Sequence, residues 1–285
     1  MIAHLEAYFH APMGVFSPNV EHPVQCTKGV VRSELCYEHV FTQQVGGCSD
    51  EPLTIGVVFS GGPAPGGHNV IAGILAHLRD QDTLIGFLGG PGGLLKAQHK
   101  AITVADLEVI SGKGGFDFLG TDRTKIATAD QFVTVRSVVE SLGVKVLIII
   151  GGDDSNTNAL YLSDALFGVC AVIGVPKTID GDLQYLPYVP ITFGFHTATQ
   201  HYATLVRALM IDSKATHKYW HIVKLMGRDS SHVTLEVAHQ VQPHVCVLSE
   251  EICDKGWGLV DLVQYCAGIM SERFKLGKPF GVMIF

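Results

Sequence analysis

The segment Val144 to Ile150 reads Val-Lys-Val-Leu-Ile-Ile-Ile and stops at Gly-Gly-Asp-Asp-Ser, Gly151 to Ser155. A strand this apolar has almost no solvent face. It must be covered on both sides, as in the buried centre of a parallel sheet. The rest of the chain therefore has to supply neighbouring strands and two layers of helices. Leu53 to Phe59 is a second apolar run, followed by the loop Ser60 to Gly67 and a helical pattern from His68 to Arg79. Thr83 to Leu88 is another strand, closed by Gly89 and Gly90, and Ile102 to Gly120 is looser and glycine-rich, running into Thr121-Asp122-Arg123. Asp130 to Leu142 reads as an amphipathic helix with Asp130 as its N-cap. Asn156 to Phe167 is the next helix and Val169 to Val175 the next strand. This alternation predicts an α/β fold with a doubly wound, largely parallel sheet. Ligands of such sheets bind outside the carboxyl ends of the strands.

After Tyr188 the pattern starts again. A helix is expected from His196 to Asp212, then a strand Tyr219 to Leu225 ending in Met226-Gly227-Arg228, and a helix Ser231 to Gln240. A strand Val245 to Leu248 ends in Ser249-Glu250-Glu251, and the helix Leu259 to Phe274 leads into a strand Phe280 to Phe285. The expected organisation is an irregular extension over residues 1–50, a main α/β domain over 51–190 and a second, smaller α/β domain over 191–285. The last domain reads as truncated at its carboxyl end, because the chain stops inside a strand.

Composition narrows the function classes. The net charge of −7 and pI near 6.0 exclude a basic nucleic-acid surface. No apolar run approaches the length needed to span a bilayer; with no long apolar run after Met1 and Lys28 as the first basic residue, a secretory or Arg-rich leader is not expected. The seven cysteines form no C-x-x-C pair, and Cys170 and Cys246 lie in strand-like runs, so they read as buried reduced thiols. A cytoplasmic protein is expected.

The chemistry collects at strand ends. Ser60 to Gly67 lacks the Lys-Ser/Thr of a P-loop and the spacing of a dinucleotide fingerprint, and reads equally as an anion cradle or a tight turn. Asp153 and Asp154 are adjacent carboxylates that repel each other unless a cation compensates. The competing reading is that Asp154 or Ser155 caps the following helix. Pro176 to Asp182, Pro-Lys-Thr-Ile-Asp-Gly-Asp, sets Asp180 and Asp182 on either side of a glycine, beside Lys177 and Thr178. A carboxylate able to accept an alcohol proton, next to groups that hold phosphate oxygens, fits phosphoryl transfer. A plain polar turn is the alternative. Arg228 and Glu250, each an ordinary surface charge taken singly, would together make a sugar-phosphate pocket, with Arg suited to bidentate phosphate contact.

As a set, GVVFSGGPAPGGHNVI (Gly56 to Ile71), GGDDSNTNA (Gly151 to Ala159), PKTIDGDL (Pro176 to Leu183), FGFHTA (Phe193 to Ala198), LMGRDSSHVTLE (Leu225 to Glu236) and SEE (Ser249 to Glu251) resemble the phosphofructokinases. The resemblance is to the long, pyrophosphate-dependent form and runs from about Pro52 to Phe285. It implies phosphoryl transfer from pyrophosphate to the 1-hydroxyl of fructose 6-phosphate, with Mg²⁺ as cofactor. It implies that Gly62 meets the donor, Asp153 holds the Mg²⁺ and Asp180 is the base. Thr178, Ile179 and Asp182 would position the substrate, and Met226, Gly227, Arg228 and Glu250 would line the sugar-phosphate site. Lys218 and Tyr219 would reach the substrate site of a neighbouring subunit, implying a homo-oligomer or a hetero-oligomer. The family also continues beyond the position of Phe285.

Donor choice follows from two positions. ATP-using relatives carry Gly where Asp154 and Lys177 stand. A carboxylate at Asp154 opposes a nucleotide's inner phosphate, and Lys177 supplies charge for the compact pyrophosphate, so both act in catalysis and donor selection. The alternatives are an ATP-dependent phosphofructokinase, a non-catalytic or regulatory subunit of such an assembly, and a dinucleotide-binding protein. The last is opposed by the lack of an acid closing Thr83 to Leu88.

Overall fold

The computed structural model describes residues 51–183, 189–227 and 230–285. The expected extension over residues 1–50 therefore lies outside the described residues. The apolar runs pair into a six-stranded sheet ordered β3-β2-β1-β4-β5-β6. Its strands are β1 (Thr54–Phe59), β2 (Thr83–Phe87), β3 (His99–Ile102), β4 (Val144–Gly151), β5 (Ala171–Thr178) and β6 (Phe193–Gly194). All neighbours are parallel except β2 and β3, which are antiparallel. The fold is thus α/β with a mostly parallel mixed sheet.

The central strands are dry on both faces, as their composition requires. Val57, Phe59, Ile148 and Ile150 pack on one face with Ile71 of α1 (Gly67–Leu75). Val58, Leu147 and Ile149 pack on the other with Val135 and Val139 of α5 (Ala129–Ser141) and Leu162 of α6 (Asp153–Ala165). Alternate residues serve alternate layers because side chains change face at every step along a strand. One registered ladder, Ile55–Val146 through Phe59–Ile150, holds β1 beside β4.

The looser segment is more structured than its sequence indicates. Short helices α2 (Gly90–Leu95), α3 (Asp106–Ile110) and α4 (Phe116–Leu119) occupy it along with β3. Phe116 stacks on Phe59 with ring centroids 4.3 Å apart, and His68 N–H donates to the Gly114 carbonyl at 3.0 Å. These elements are too short to carry a periodic signal. Two cap expectations also change. Thr128, not Asp130, caps α5, through a capping box with Gln131 that satisfies two end N–H groups at once. Helix α6 starts at Asp153, three residues before Asn156, with Gly152 at the cap and no side-chain cap bond. Capping therefore does not account for Asp154 or Ser155.

A second sheet, ordered β7-β9-β8, is built from β7 (Trp220–Val223), β8 (Val245–Cys246) and β9 (Gly281–Ile284), all parallel. Helices α7 (Phe195–Thr216) and α8 (His232–Val241) pack around Val282 and Ile284, while Cys266 of α10 (Leu259–Lys275) packs with Met283. A short helix α9 (Ser249–Lys255) follows β8. The chain leaves the first sheet only after Phe193–Gly194, which still pair with Lys177 and Thr178. No helix among the described residues is long and apolar enough to cross a membrane.

Leu147 is fully buried at the sheet centre. Leu147→Ala is expected to lower unfolding free energy by about 2–5 kcal/mol, read by denaturant titration; a loss below about 1 kcal/mol would show that the site collapses around the void. Burial pushes the Cys170 thiol up to about 12 and the Cys246 thiol up to about 11, whereas Cys253 is exposed. Because the thiolate is the nucleophile, peptide mapping after alkylation at pH 8 should find Cys253 modified in the folded protein. Cys170 and Cys246 should react only after denaturation.

Candidate functional site

The first three strand ends to meet are those of β1, β4 and β5, with β1 and β4 adjacent where the strand order reverses. Crevices form at such switch points because consecutive connections leave toward opposite faces. Here a cleft of about 440 Å³ is lined from β1 by Ser60 to Pro63, from the start of α6 by Asp153, Asp154 and Asn158, and from β5 by Lys177 to Asp180 and Asp182. Arg123, Thr124 and Lys125 line it from the loop before α5, and Met226 from the far end of β7.

The tight approach of β1 to α6 has a steric cause. A Cβ on Gly151 would come within 2.9 Å of the Ser60 carbonyl and overlap Ser155. With glycine there, the Ser155 hydroxyl donates to the Ser60 hydroxyl at 2.8 Å, and the Ser60 N–H donates to the Ile150 carbonyl at 2.8 Å. Asp153 and Asp154 then occupy the first turn of α6, both exposed to the cleft. Negative charge there meets the positive end of the helix dipole. Lys125 Nζ lies 3.0 Å from Asp154 Oδ1.

The loop after β5 is fastened at several points. Thr178 is buried, and its carbonyl accepts from the Thr192 hydroxyl at 2.8 Å. The Asp180 N–H donates to Thr178 Oγ1 at 3.0 Å, and the Asp180 carbonyl accepts from the Ser230 hydroxyl at 3.2 Å. Gly181 has φ of 73°, in the left-handed region that favours glycine, and its carbonyl lies 2.7 Å from His232 Nδ1. A Cβ at Gly181 would also stand 2.9 Å from the Phe195 ring. The turn lets Asp180 and Asp182 line one cleft, as the Asp-Gly-Asp spacing predicts. Lys177 is buried, its ammonium 6.0 Å from the centre of the Phe116 ring.

The structure thus brings together Gly62, Asp153, Asp154, Lys177, Thr178, Ile179, Asp180, Asp182 and Met226. Other expected residues stand apart from the cleft lining. Gly227 follows Met226 and is exposed, and Arg228 lies outside the described residues. Glu250, in the first turn of α9, accepts from the Ser231 N–H at 2.9 Å and from the Ser249 hydroxyl at 3.1 Å. Burial acts to raise its carboxyl, but hydrogen bonds from the Ser231 and Glu250 N–H groups and the two serine hydroxyls outweigh it and hold the group below its usual range. Lys218 and Tyr219 are exposed at the start of β7, the opposite end of that strand from Met226.

Sequence reasoning missed Lys125, Thr124 and Asn158 and treated Arg123 only as the end of a loose segment. The available signal was two cations in three residues after a glycine-rich stretch. Asn158 looks like an ordinary helix residue in sequence, yet its side chain bonds both the N–H and the carbonyl of Ile126, at 3.2 and 2.7 Å.

Chemically, the cleft combines carboxylates, a buried ammonium, two exposed cations and a glycine loop with accessible backbone. No group of three or more His, Cys, Asp or Glu side chains able to enclose a metal ion occurs among the described residues. Asp153 and Asp154, exposed side by side in the first turn of α6, are oxygen ligands of the kind a hard cation accepts when ligand phosphates and water complete its shell.

Comparison with known proteins identifies the family. The pyrophosphate–fructose 6-phosphate 1-phosphotransferase of Porphyromonas gingivalis is 42% identical over 239 residues, covering 82% of this chain and 43% of the relative. The β subunit of the corresponding enzyme from Ricinus communis is 42% identical over 242 residues, 83% of this chain and 44% of the relative. The chain therefore spans less than half the length of these relatives. The crystal structure of Pichia pastoris phosphofructokinase in the T-state superposes with a TM-score of 0.67 at 18% identity, over 82% of this chain and 26% of that one, a likeness of fold. The phosphofructokinase family model matches residues 54–282. Since that span takes in the first sheet, the whole cleft lining and most of the second sheet, this chain belongs to the phosphofructokinase family.

Proposed function

We propose that this chain binds pyrophosphate and fructose 6-phosphate and transfers a phosphoryl group between them, giving phosphate and fructose 1,6-bisphosphate, reversibly. The observation that carries the reading is the convergence of Asp153, Asp154, Lys177 and Asp180 on one cleft at the switch point of the sheet. Relatives that share about 42% of its residues bear that activity in their names. On this reading residues 51–190 form the donor side and 191–285 the sugar-phosphate side, with residues 1–50 as an extension.

Asp180 takes the proton of the sugar 1-hydroxyl as the oxygen attacks the terminal phosphorus of the donor. Its pinned loop fixes the approach, and positioning contributes much of the rate in phosphoryl transfer. Thr178, Ile179 and Asp182 orient the sugar from the same loop, with Met226 closing the far wall and Gly227, Arg228 and Glu250 serving the sugar phosphate beyond that lining. Gly62 and Arg123 hold the donor together, the Arg123 guanidinium lying 3.8 Å from where a Cβ on Gly62 would stand, so that the loop backbone and the cation face the same space. Lys177 balances charge on the departing phosphate. Asp153 would hold Mg²⁺, which when bound neutralises donor charge. Asp154 opposes a third phosphate and so disfavours ATP. Lys218 and Tyr219, remote from this cleft, serve a neighbouring subunit, which makes the working unit a homo-oligomer or a hetero-oligomer.

The reaction is tested by incubating the protein with pyrophosphate, Mg²⁺ and fructose 6-phosphate and quantifying fructose 1,6-bisphosphate. Product with pyrophosphate but not with ATP is expected; product with ATP alone would reverse the donor assignment. Asp180→Asn should reduce turnover by about 10²–10⁴-fold while leaving fructose 6-phosphate binding within a few-fold by calorimetry. Retained turnover would remove Asp180 as the base. Lys177→Gly should slow the pyrophosphate reaction and lower kcat more than it raises KM, because its charge is needed most on the departing phosphate; an unchanged kcat would remove it from that role.

A further inference from the structure

The donor side of the cleft carries an ion pair whose cation, Lys125, has no part in the functional reading. Lys125 Nζ stands 3.0 Å from Asp154 Oδ1, with the two side chains 66% and 73% exposed. Water screens an exposed pair and two side chains must be ordered to make it, so it adds little stability. Its cation is nevertheless held in place by its backbone. The next residue, Ile126, is gripped by Asn158 of α6 through both of its main-chain groups, at 3.2 and 2.7 Å. Three residues before Lys125, the Asp122 carbonyl accepts from the Gly61 N–H at 2.8 Å, and the Thr124 hydroxyl bonds the Asp122 carboxylate. The segment bearing Lys125 is thus tied at one end to the glycine loop and at the other to the helix bearing Asp154. An ammonium presented this way, on a pair that is easily broken, can exchange a protein carboxylate for a phosphate oxygen without moving its backbone. A lysine suits the exchange because it is a compact charge with three rotatable donors.

We propose that Lys125 is a specificity-determining residue for the phosphoryl donor. In the free protein it pairs with Asp154. With pyrophosphate bound, its ammonium moves to the phosphate that is not transferred. Asp154, no longer neutralised, then repels any longer phosphate chain. Selection for a two-phosphate donor therefore resides in the pair, and Asn158 is a positioning residue acting through Ile126. The inference rests on the reading that this cleft takes pyrophosphate.

The test is calorimetric titration of the full 285-residue chain with magnesium pyrophosphate and, separately, with magnesium ATP. Lys125→Ala should weaken pyrophosphate binding by about tenfold or more, the usual effect of losing a hydrogen bond to a charged group. Lys125→Arg should recover most of the loss, and the thermal midpoint should barely move in either variant. In an Asp154→Gly background, Lys125→Ala should also weaken ATP, because the freed ammonium would then serve an inner phosphate. Pyrophosphate affinity within about twofold of the parent in Lys125→Ala, or no recovery in Lys125→Arg, would overturn the assignment while leaving the functional reading intact. A parent chain that binds no pyrophosphate would overturn the functional reading, and this inference with it.

Discussion

The parallel ladder between β1 and β4 sets the distance between the two loops that follow these strands and line one side of the cleft. Both strands are dry on both faces, so a slip of one residue would turn Ile148 and Ile150 out of one core and into the other. Hydrophobic packing therefore fixes the register, and the register fixes where Ser60 and Gly151 meet. At that point the chain has no room for a side chain on residue 151. The contact between Ser60 and Ser155 depends on glycine at that position, and α6 begins two residues later at Asp153.

Electrostatics is arranged over this frame with little burial. Asp153, Asp154 and Asp182 are exposed to solvent, as are Arg123 and Lys125, while Lys177 alone among the cleft's charges is buried. Paired acids at the first turn of a helix gain from its dipole, which offsets part of their mutual repulsion. The exposed charges keep their hydration and can change partners, whereas the buried ammonium sits beneath them on the core strand β5. A site built this way can meet a highly charged ligand without first breaking expensive interactions.

Much of this was readable in the chain. Val144 to Ile150 required a covered parallel sheet, and the runs before and after it supplied strands and helices at the expected places. Asp180, Gly181 and Asp182 signalled a turn that serves two carboxylates, and the turn has that form. The short elements between Gly90 and Leu119 were invisible because they span too few residues for periodicity to emerge. The caps were misjudged because several polar residues near a helix start look alike in sequence, and only backbone geometry chooses Thr128 over Asp130.

By itself the sequence determined the class of fold, the strand ends where glycines and charged residues gather, and the family, since each depends on local pattern and spacing. Tertiary structure decided which of those strand ends share a cleft. It joined Lys125 to Asp154 across 29 residues and set Asn158 to hold Ile126 across 32. It left Glu250 bonded to Ser231 and placed Lys218 and Tyr219 at the opposite end of β7. The physical reason is that contacts between distant segments arise from sheet order and packing, and no local run of residues encodes them.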